Sequence, residues 1–218
     1  MIYAGMAMLP NRFPASLKVV KSILPQVDRL FLCLNGFDSI PAELVDEKIE
    51  VWHCGKNLGD RGKFFWPFGN YRAFITLDDD LVYPEEYVKD FLTASELFPK
   101  AILAHHGKIL PLILRDYWTD CKNVVHCLRK NDENVRVDIP GTGVTYYPEY
   151  SYKKFDTPNF WNCGDLYVMQ QMRKHDIQAY ALRHPKNYFG YIKPPAGTTI
   201  WEQTQSVDMT ALCNSFLQ

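Results

Sequence analysis

Three consecutive carboxylates, Asp78, Asp79 and Asp80, are the residues of this sequence best suited to chemistry. They follow a short apolar, β-branched and aromatic run, Ala73-Phe74-Ile75-Thr76-Leu77. They precede Leu81-Val82-Tyr83-Pro84 and an amphipathic stretch. The pattern reads as a buried strand that stops at an acidic corner before the chain turns into a helix. A solvated turn that caps the helix is the plain interpretation. Three adjacent anions repel one another, however, and a divalent cation is the usual relief, because Asp oxygens suit Mg²⁺ or Mn²⁺. The strand-end position favours the second interpretation, since open α/β sheets bind ligands outside the carboxyl ends of their strands.

Other residues could work with this corner. Asn57-Leu58-Gly59-Asp60-Arg61-Gly62-Lys63-Phe64-Phe65-Trp66 is glycine-rich, then basic and aromatic. Gly59 and Gly62 permit close backbone approach, and Lys63 offers a compact charge suited to phosphate. An ordinary loop before a short helix fits the segment equally. His105-His106-Gly107 ends another apolar run. Its histidines suit metal ligation, contact with an acceptor molecule or plain polar surface, and acceptor contact is favoured for His106. Gly141-Thr142-Gly143 opens an extended segment whose glycines either let the backbone pass close to a ligand or serve a tight turn. Asp165 starts a helical face of Leu166, Met169 and Met172. Its carboxylate is either an N-cap or a general base at the mouth of a cleft.

The elements that must position these residues follow from periodicity. Ile2 to Leu9 is an apolar run expected to be a central strand. Leu17, Val20, Ile23 and Leu24 share a helical face, ended by Pro25. Strands are expected over 29–34, 49–53, 101–104, 135–139 and 178–182, and a helix carrying Tyr87, Val88, Phe91 and Leu92. Residues 108–134 read as an excursion over the sheet, partly helical, that covers an acceptor site. From Tyr188 onward the chain reads as loop-rich. The β-α-β-β order predicts an α/β fold with a mostly parallel central sheet flanked by helices. No repeat or linker interrupts it, so a single domain over 1–218 is expected. Ser215-Phe216-Leu217-Gln218 carries no stop signal, which admits a continuation as part of a longer chain.

Composition narrows the class. The 218 residues are 47% hydrophobic and carry a formal net charge of −1, which gives a sizeable core and no electrostatic footprint for nucleic acid. Six cysteines lack CxxC spacing, so a zinc ribbon is not expected, and Cys33 in an apolar strand reads as a buried thiol. Neither a signal peptide nor an apolar stretch of about 18 residues is present, so no membrane span is expected. A soluble protein of a reducing, cytoplasmic compartment is the expectation.

Taken together, the first strand with Pro10 and Arg12 after it, Gly59-Asp60-Arg61-Gly62-Lys63-Phe64, Leu77-Asp78-Asp79-Asp80-Leu81-Val82-Tyr83-Pro84, His106-Gly107, Gly141-Thr142-Gly143 and Asp165 resemble nucleotide-sugar-dependent glycosyltransferases of the GT-A fold. The resemblance covers roughly residues 2–184 and extends to glycosyltransferase domains at the N-termini of larger proteins from large algal viruses. For such a protein the location would be the host cytoplasm. It implies a single GT-A, Rossmann-like domain and a UDP-sugar donor, UDP-glucose by default, with a glycan hydroxyl as acceptor and a deoxyhexose as an alternative sugar. It also implies that Asp78 contacts the donor ribose or a metal-bound water, with Asp79 beside it, and that Asp80 binds Mn²⁺ or Mg²⁺ directly. His184 is the nearest match to a late histidine ligand. Met6, Ala7, Met8 and Arg12 would flank base and ribose, and Asp60 and Lys63 would complete the donor pocket. His106, Gly141 and Thr142 would face the acceptor, and Asp165 would be the base.

The residue types suit that chemistry. A departing diphosphate gains negative charge, which a divalent cation stabilises. A carboxylate opposite it removes the proton of the attacking hydroxyl, and one displacement inverts the anomeric centre. Two other functions use similar parts. A nucleotidyltransferase would show a glycine- and arginine-rich loop after its first strand, and Pro10-Asn11-Arg12-Phe13-Pro14 has no glycine. A non-catalytic nucleotide-sugar or glycan-binding module would use the acidic motif without needing a base at Asp165.

Overall fold

The first strand, β1 (Ile2–Met8), is buried on both faces, as its unbroken apolar sequence requires. Pro10–Arg12 forms a 3-10 turn, and α1 (Phe13–Ile23) returns the chain to β2 (Arg29–Asn35). Next come β3 (Ile49–Cys54), a 3-10 turn at Gly59–Phe64, β4 (Ala73–Leu77) and β5 (Leu81–Val82). The sequence continues through α2 (Tyr87–Leu97), β6 (Ile102–Ala104), β7 (Gly107–Ile109), α3 (Tyr117–Asp120), β8 (Asn123–Val125), β9 (Val135–Val137) and β10 (Ile139–Pro140). It closes with β11 (Val144–Pro148), α4 (Glu149–Tyr152), α5 (Gly164–His175), β12 (Ala179–Ala181), β13 (Gly190–Tyr191), α6 (Ile200–Gln203) and α7 (Met209–Leu217). This computed structural model describes residues 1–65, 70–121, 123–204 and 207–217. Trp66 and Gln218, which the sequence argument cited, lie outside the described residues.

The main sheet has eight strands in the order β3-β2-β1-β4-β11-β6-β12-β9. β11 runs antiparallel to both its neighbours and β9 antiparallel to β12, while the other pairings are parallel. The expected α/β architecture, a mostly parallel sheet flanked by helices, is the one found. The strand order reverses between β1 and β4. The carboxyl ends of those strands, where Leu9 and Asp78 emerge, therefore border the crevice in which such sheets hold ligands.

Alternation along the strands divides the core. Ala4, Met6 and Met8 of β1 join Leu30, Leu32, Leu34, Ile75 and Leu77 in one cluster, into which α1 and α2 pack Val19, Val20, Ile23, Tyr87 and Phe91. Tyr3, Phe31, Phe74 and Tyr147 face the other way, towards Tyr167, Val168 and Met172 of α5. The 3-10 turn at Gly59–Phe64 lies directly on that second face. A side chain at Gly5 would collide with the Lys63 carbonyl, and a Cβ on Gly62 would meet the Cys33 Sγ at 2.6 Å. These glycines seat the turn on the sheet, which carries Asp60 and Lys63 to the strand ends.

One expectation needs correction. The segment from Tyr188 is not mainly loop: β13 pairs with β5, and α7 buries Met209 and Cys213 against Leu114, Tyr117, Leu166 and Met169. The excursion at 108–134 is partly helical, as expected: α3 is its short helical piece, beside β7 and β8, which form a small antiparallel sheet with β10.

Candidate functional site

The acidic corner starts where β4 leaves the sheet. Asp78 N–H donates to the Tyr83 hydroxyl at 2.8 Å, and that hydroxyl donates to the Gly143 carbonyl at 2.6 Å, pinning the corner to the turn before β11. Gly143 has no side chain because the Asp78 carboxylate occupies that space. The glycines of the 141–143 turn therefore make room for this chain's own functional side chains: a Cβ on Gly141 would meet the His106 ring at 2.7 Å.

The mutual repulsion of the three carboxylates is relieved in large part from within. Arg12 Nη2 lies 2.7 Å from Asp79 Oδ1 and 2.7 Å from Asp80 Oδ2. Ser16 Oγ donates to Asp79 Oδ2 at 3.0 Å. The Lys63 side chain is only 3% exposed, and its Nζ lies 2.6 Å from Asp78 Oδ1. Arg12 and Lys63 thus pair first with the acidic corner. Asp78 Oδ2 and Asp80 Oδ1 have no hydrogen-bond partner among the described residues.

Burial shapes the acid–base behaviour. It raises Asp60 to about 6 against the opposing charge of Lys63 and the Gly164 N–H, and Asp79 to about 6 against Arg12 and Ser16. Burial, reinforced by Asp78, raises Asp80 to about 7 even though Arg12 pulls the other way. For Lys63 burial works downward, yet Asp78 and Asp60 together hold it above its ordinary value. The three carboxylates of the corner still outnumber the two cations paired with them.

A cleft of about 240 Å³ runs over this corner, lined by Ala7, Leu9, Arg12, Asn35, Asp60, Lys63 and Asp78 to Asp80, among others. Its charged residues are four carboxylates and two cations, two net negative charges when all are ionised. Of the three β1 residues expected to flank a nucleotide, only Ala7 faces the cleft. Met6 and Met8 are fully buried in the opposite core, as strand alternation dictates. Leu9, Asn35, Asn57, Asn162, Thr198, Thr199, Ile200 and Gln203 also line the cleft and were missed. One of these had a sequence signal. Thr199 and Glu202 form a capping box that starts α6, the S/T-x-x-E pattern.

A second cavity, about 570 Å³, abuts the first along Asp60, Lys63, Asp78 and Asp80. His106, Gly141, Thr142 and Asp165 all line it, so the structure brings the acceptor candidates and the base candidate together. Asp165 is the second residue of α5 and does not cap it. The first amide of that helix, Gly164 N–H, is taken instead by Asp60 Oδ2 at 2.8 Å. Asp165 Oδ1 accepts from Thr142 N and Thr142 Oγ1, both at 2.8 Å, and Oδ2 has no hydrogen-bond partner among the described residues. Burial lowers His106 to about 4 in spite of Asp165, so its imidazole is neutral at pH 7. Lys108 reaches over the Tyr117 ring at 4.0 Å in the same cavity.

His184 is not at the corner. It lines neither cavity; its Nδ1 lies 2.9 Å from the Leu182 carbonyl and its ring packs against His105, Tyr188 and Phe189. The match to a late metal-binding histidine fails because the chain after β12 turns this residue into the aromatic core. Asp156, another carboxylate in the chain before α5, is paired with Lys174 at 2.7 Å on the surface and lines neither cavity.

No family model and no curated protein matches the chain. Among the described residues, no helix is long and apolar enough to cross a membrane.

Proposed function

We propose that the protein is a metal-dependent, inverting glycosyltransferase that moves a hexose or deoxyhexose from a UDP-sugar to a glycan hydroxyl. The observation that carries this is the shared wall. Asp60, Lys63, Asp78 and Asp80 separate a small cleft at the strand ends from a larger cavity holding Asp165. A donor in the first and an acceptor in the second would meet at the acidic corner. The GT-A resemblance of the motifs points the same way.

The residues present fit a hard divalent cation. Asp78 and Asp80 each keep one oxygen unpartnered, and few protein ligands leave positions for phosphate oxygens. Electrostatics adds a stronger reason. A diphosphate entering a cleft whose carboxylates outnumber its cations would be repelled without a bound cation. Mn²⁺ or Mg²⁺ held there would neutralise charge as the diphosphate departs. Arg12 and Lys63 hold one oxygen of Asp80 and of Asp78, leaving the other oxygen of each unpaired. Ala7, Leu9 and Asn35 offer the nucleoside an apolar and amide-lined wall. Thr142 fixes the Asp165 carboxylate by two hydrogen bonds, leaving Oδ2 to take the proton of the acceptor hydroxyl as it attacks. His106, Gly141 and Thr142 contact the acceptor. A reducing, cytoplasmic location accords with six free cysteines.

The test is a UDP-sugar screen, UDP-glucose first, that reads UDP release with Mn²⁺ and with EDTA. Metal-dependent release is expected, increased by a saccharide acceptor. Binding without release would favour a non-catalytic module, and pyrophosphate release from UTP with a sugar phosphate would favour a nucleotidyltransferase.

A further inference from the structure

Away from the acidic corner, two loops bring together a different set of donors. His106 follows β6 and His126-Cys127 follow β8. One ligand atom from each of His106, His126 and Cys127 lies within 4.8 Å of the other two. The two imidazoles meet edge to face, with centroids 5.0 Å apart at 68°. All three residues line the larger cavity. The His106 ring is wedged over Gly141, where a Cβ would leave it no room, and it has no hydrogen-bond partner among the described residues.

We propose that His106, His126 and Cys127 bind one zinc ion, with a fourth coordination position open to the larger cavity for an oxygen ligand. This inference stands on the donor cluster and does not depend on the glycosyltransferase reading. Two imidazoles and a thiolate are borderline-to-soft donors that select zinc over Mg²⁺ or Mn²⁺, the reverse of the preference of Asp78 and Asp80. Zinc sites closed by four protein ligands are structural, whereas three ligands and an open position mark a site that takes water or a ligand group. Tetrahedral zinc needs donor atoms about 3.4–3.6 Å apart, so the cluster must tighten by roughly 1 Å. Both histidines are half-buried and at loop positions, where side-chain rotation can supply that movement. Zinc displaces the Cys127 thiol proton to solvent, so the bound form carries the metal on a thiolate. His126 Nδ1 now accepts from Leu128 N–H at 3.2 Å, and ligation through Nε2 moves the ring proton to Nδ1 and gives up that bond.

Cobalt(II) tests the site, because it reports thiolate ligation through a near-ultraviolet charge-transfer band. The full chain, stripped with a chelator, is titrated with Co²⁺ and then with Zn²⁺. The expected result is a thiolate band that saturates at one equivalent of Co²⁺ and is displaced by one equivalent of Zn²⁺. The band should persist in Asp78→Asn/Asp80→Asn and vanish in Cys127→Ser. In His126→Gln the affinity should fall at least about tenfold. Cobalt uptake by the wild type without a thiolate band overturns the proposal, whatever the variants do, as does a band that survives Cys127→Ser. Loss of Mn²⁺-dependent UDP-sugar binding would refute the glycosyltransferase reading and leave this site untouched.

Discussion

Lys63→Met removes a buried charge while keeping most of the side chain's apolar length, and its cost can be worked from the surroundings. Folding raises the Lys63 pKa, so its charge stabilises the fold at every pH below the unfolded value of 10.5, and that contribution is fully present at pH 7. Two carboxylates lose by its removal. Asp78 is 41% exposed, so solvent screens it and its share stays under about 1 kcal/mol. Asp60 is buried with its carboxyl at about 6, and it can escape an uncompensated charge by binding a proton. At pH 7 that escape is one pH unit away and costs at most about 1.4 kcal/mol. The two together cost at most about 2.4 kcal/mol at pH 7. The sign with pH follows. A carboxyl raised in the fold contributes stability below its unfolded value of 3.8 and loses it as pH rises through about 6. At pH 5 Asp60 is already largely protonated in the wild type, so its share vanishes and the variant should lie within about 1 kcal/mol of the parent. Urea unfolding at pH 7 and pH 5 measures both differences. A larger deficit at pH 5 than at pH 7, or none at pH 7, would refute the reasoning.

Asp165→Asn keeps an oxygen where Thr142 donates and turns the free Oδ2 into an amide, so folding and UDP-sugar binding should survive while transfer falls about 10²–10⁴-fold; normal transfer would move the base elsewhere. Asp165→Ala should unfold more easily in urea by about 1–3 kcal/mol, because Thr142 N–H loses its acceptor. Asp80→Asn should abolish metal-dependent donor binding in calorimetry yet stay folded by circular dichroism, since Arg12 retains Asp79 at 2.7 Å.

The strands and the acidic corner were legible because they depend on local sequence. An apolar β-branched run predicts a buried strand wherever it lies, and β1, β2, β3 and β4 fall within a residue or so of their expected limits. The choice between Met6, Ala7 and Met8 depended on which face of β1 borders the cleft. Only the tertiary placement of the Gly59–Phe64 turn settles that. The cap on α5 illustrates the same limit: a sequence argument offers Asp165, the nearest carboxylate, and the fold supplies Asp60 from 104 residues away. Arg12 and Lys63 were named only for a donor, and their pairing with the acidic corner was not foreseen, because internal ion pairs between distant segments leave no spacing signal. The cleft's wall of asparagines and threonines comes from the end of β2 and from segments far apart in the chain around residues 57, 162 and 198–199, and only the Thr199–Glu202 capping box announced itself.

The most direct test of the central claim is calorimetric titration of UDP-glucose into the wild-type chain, once with Mn²⁺ and once with EDTA. The electrostatics of the cleft predicts saturable binding with Mn²⁺ and at least about a hundredfold weaker binding with EDTA. Equal affinity under the two conditions would contradict a metal-bridged diphosphate at Asp78 and Asp80.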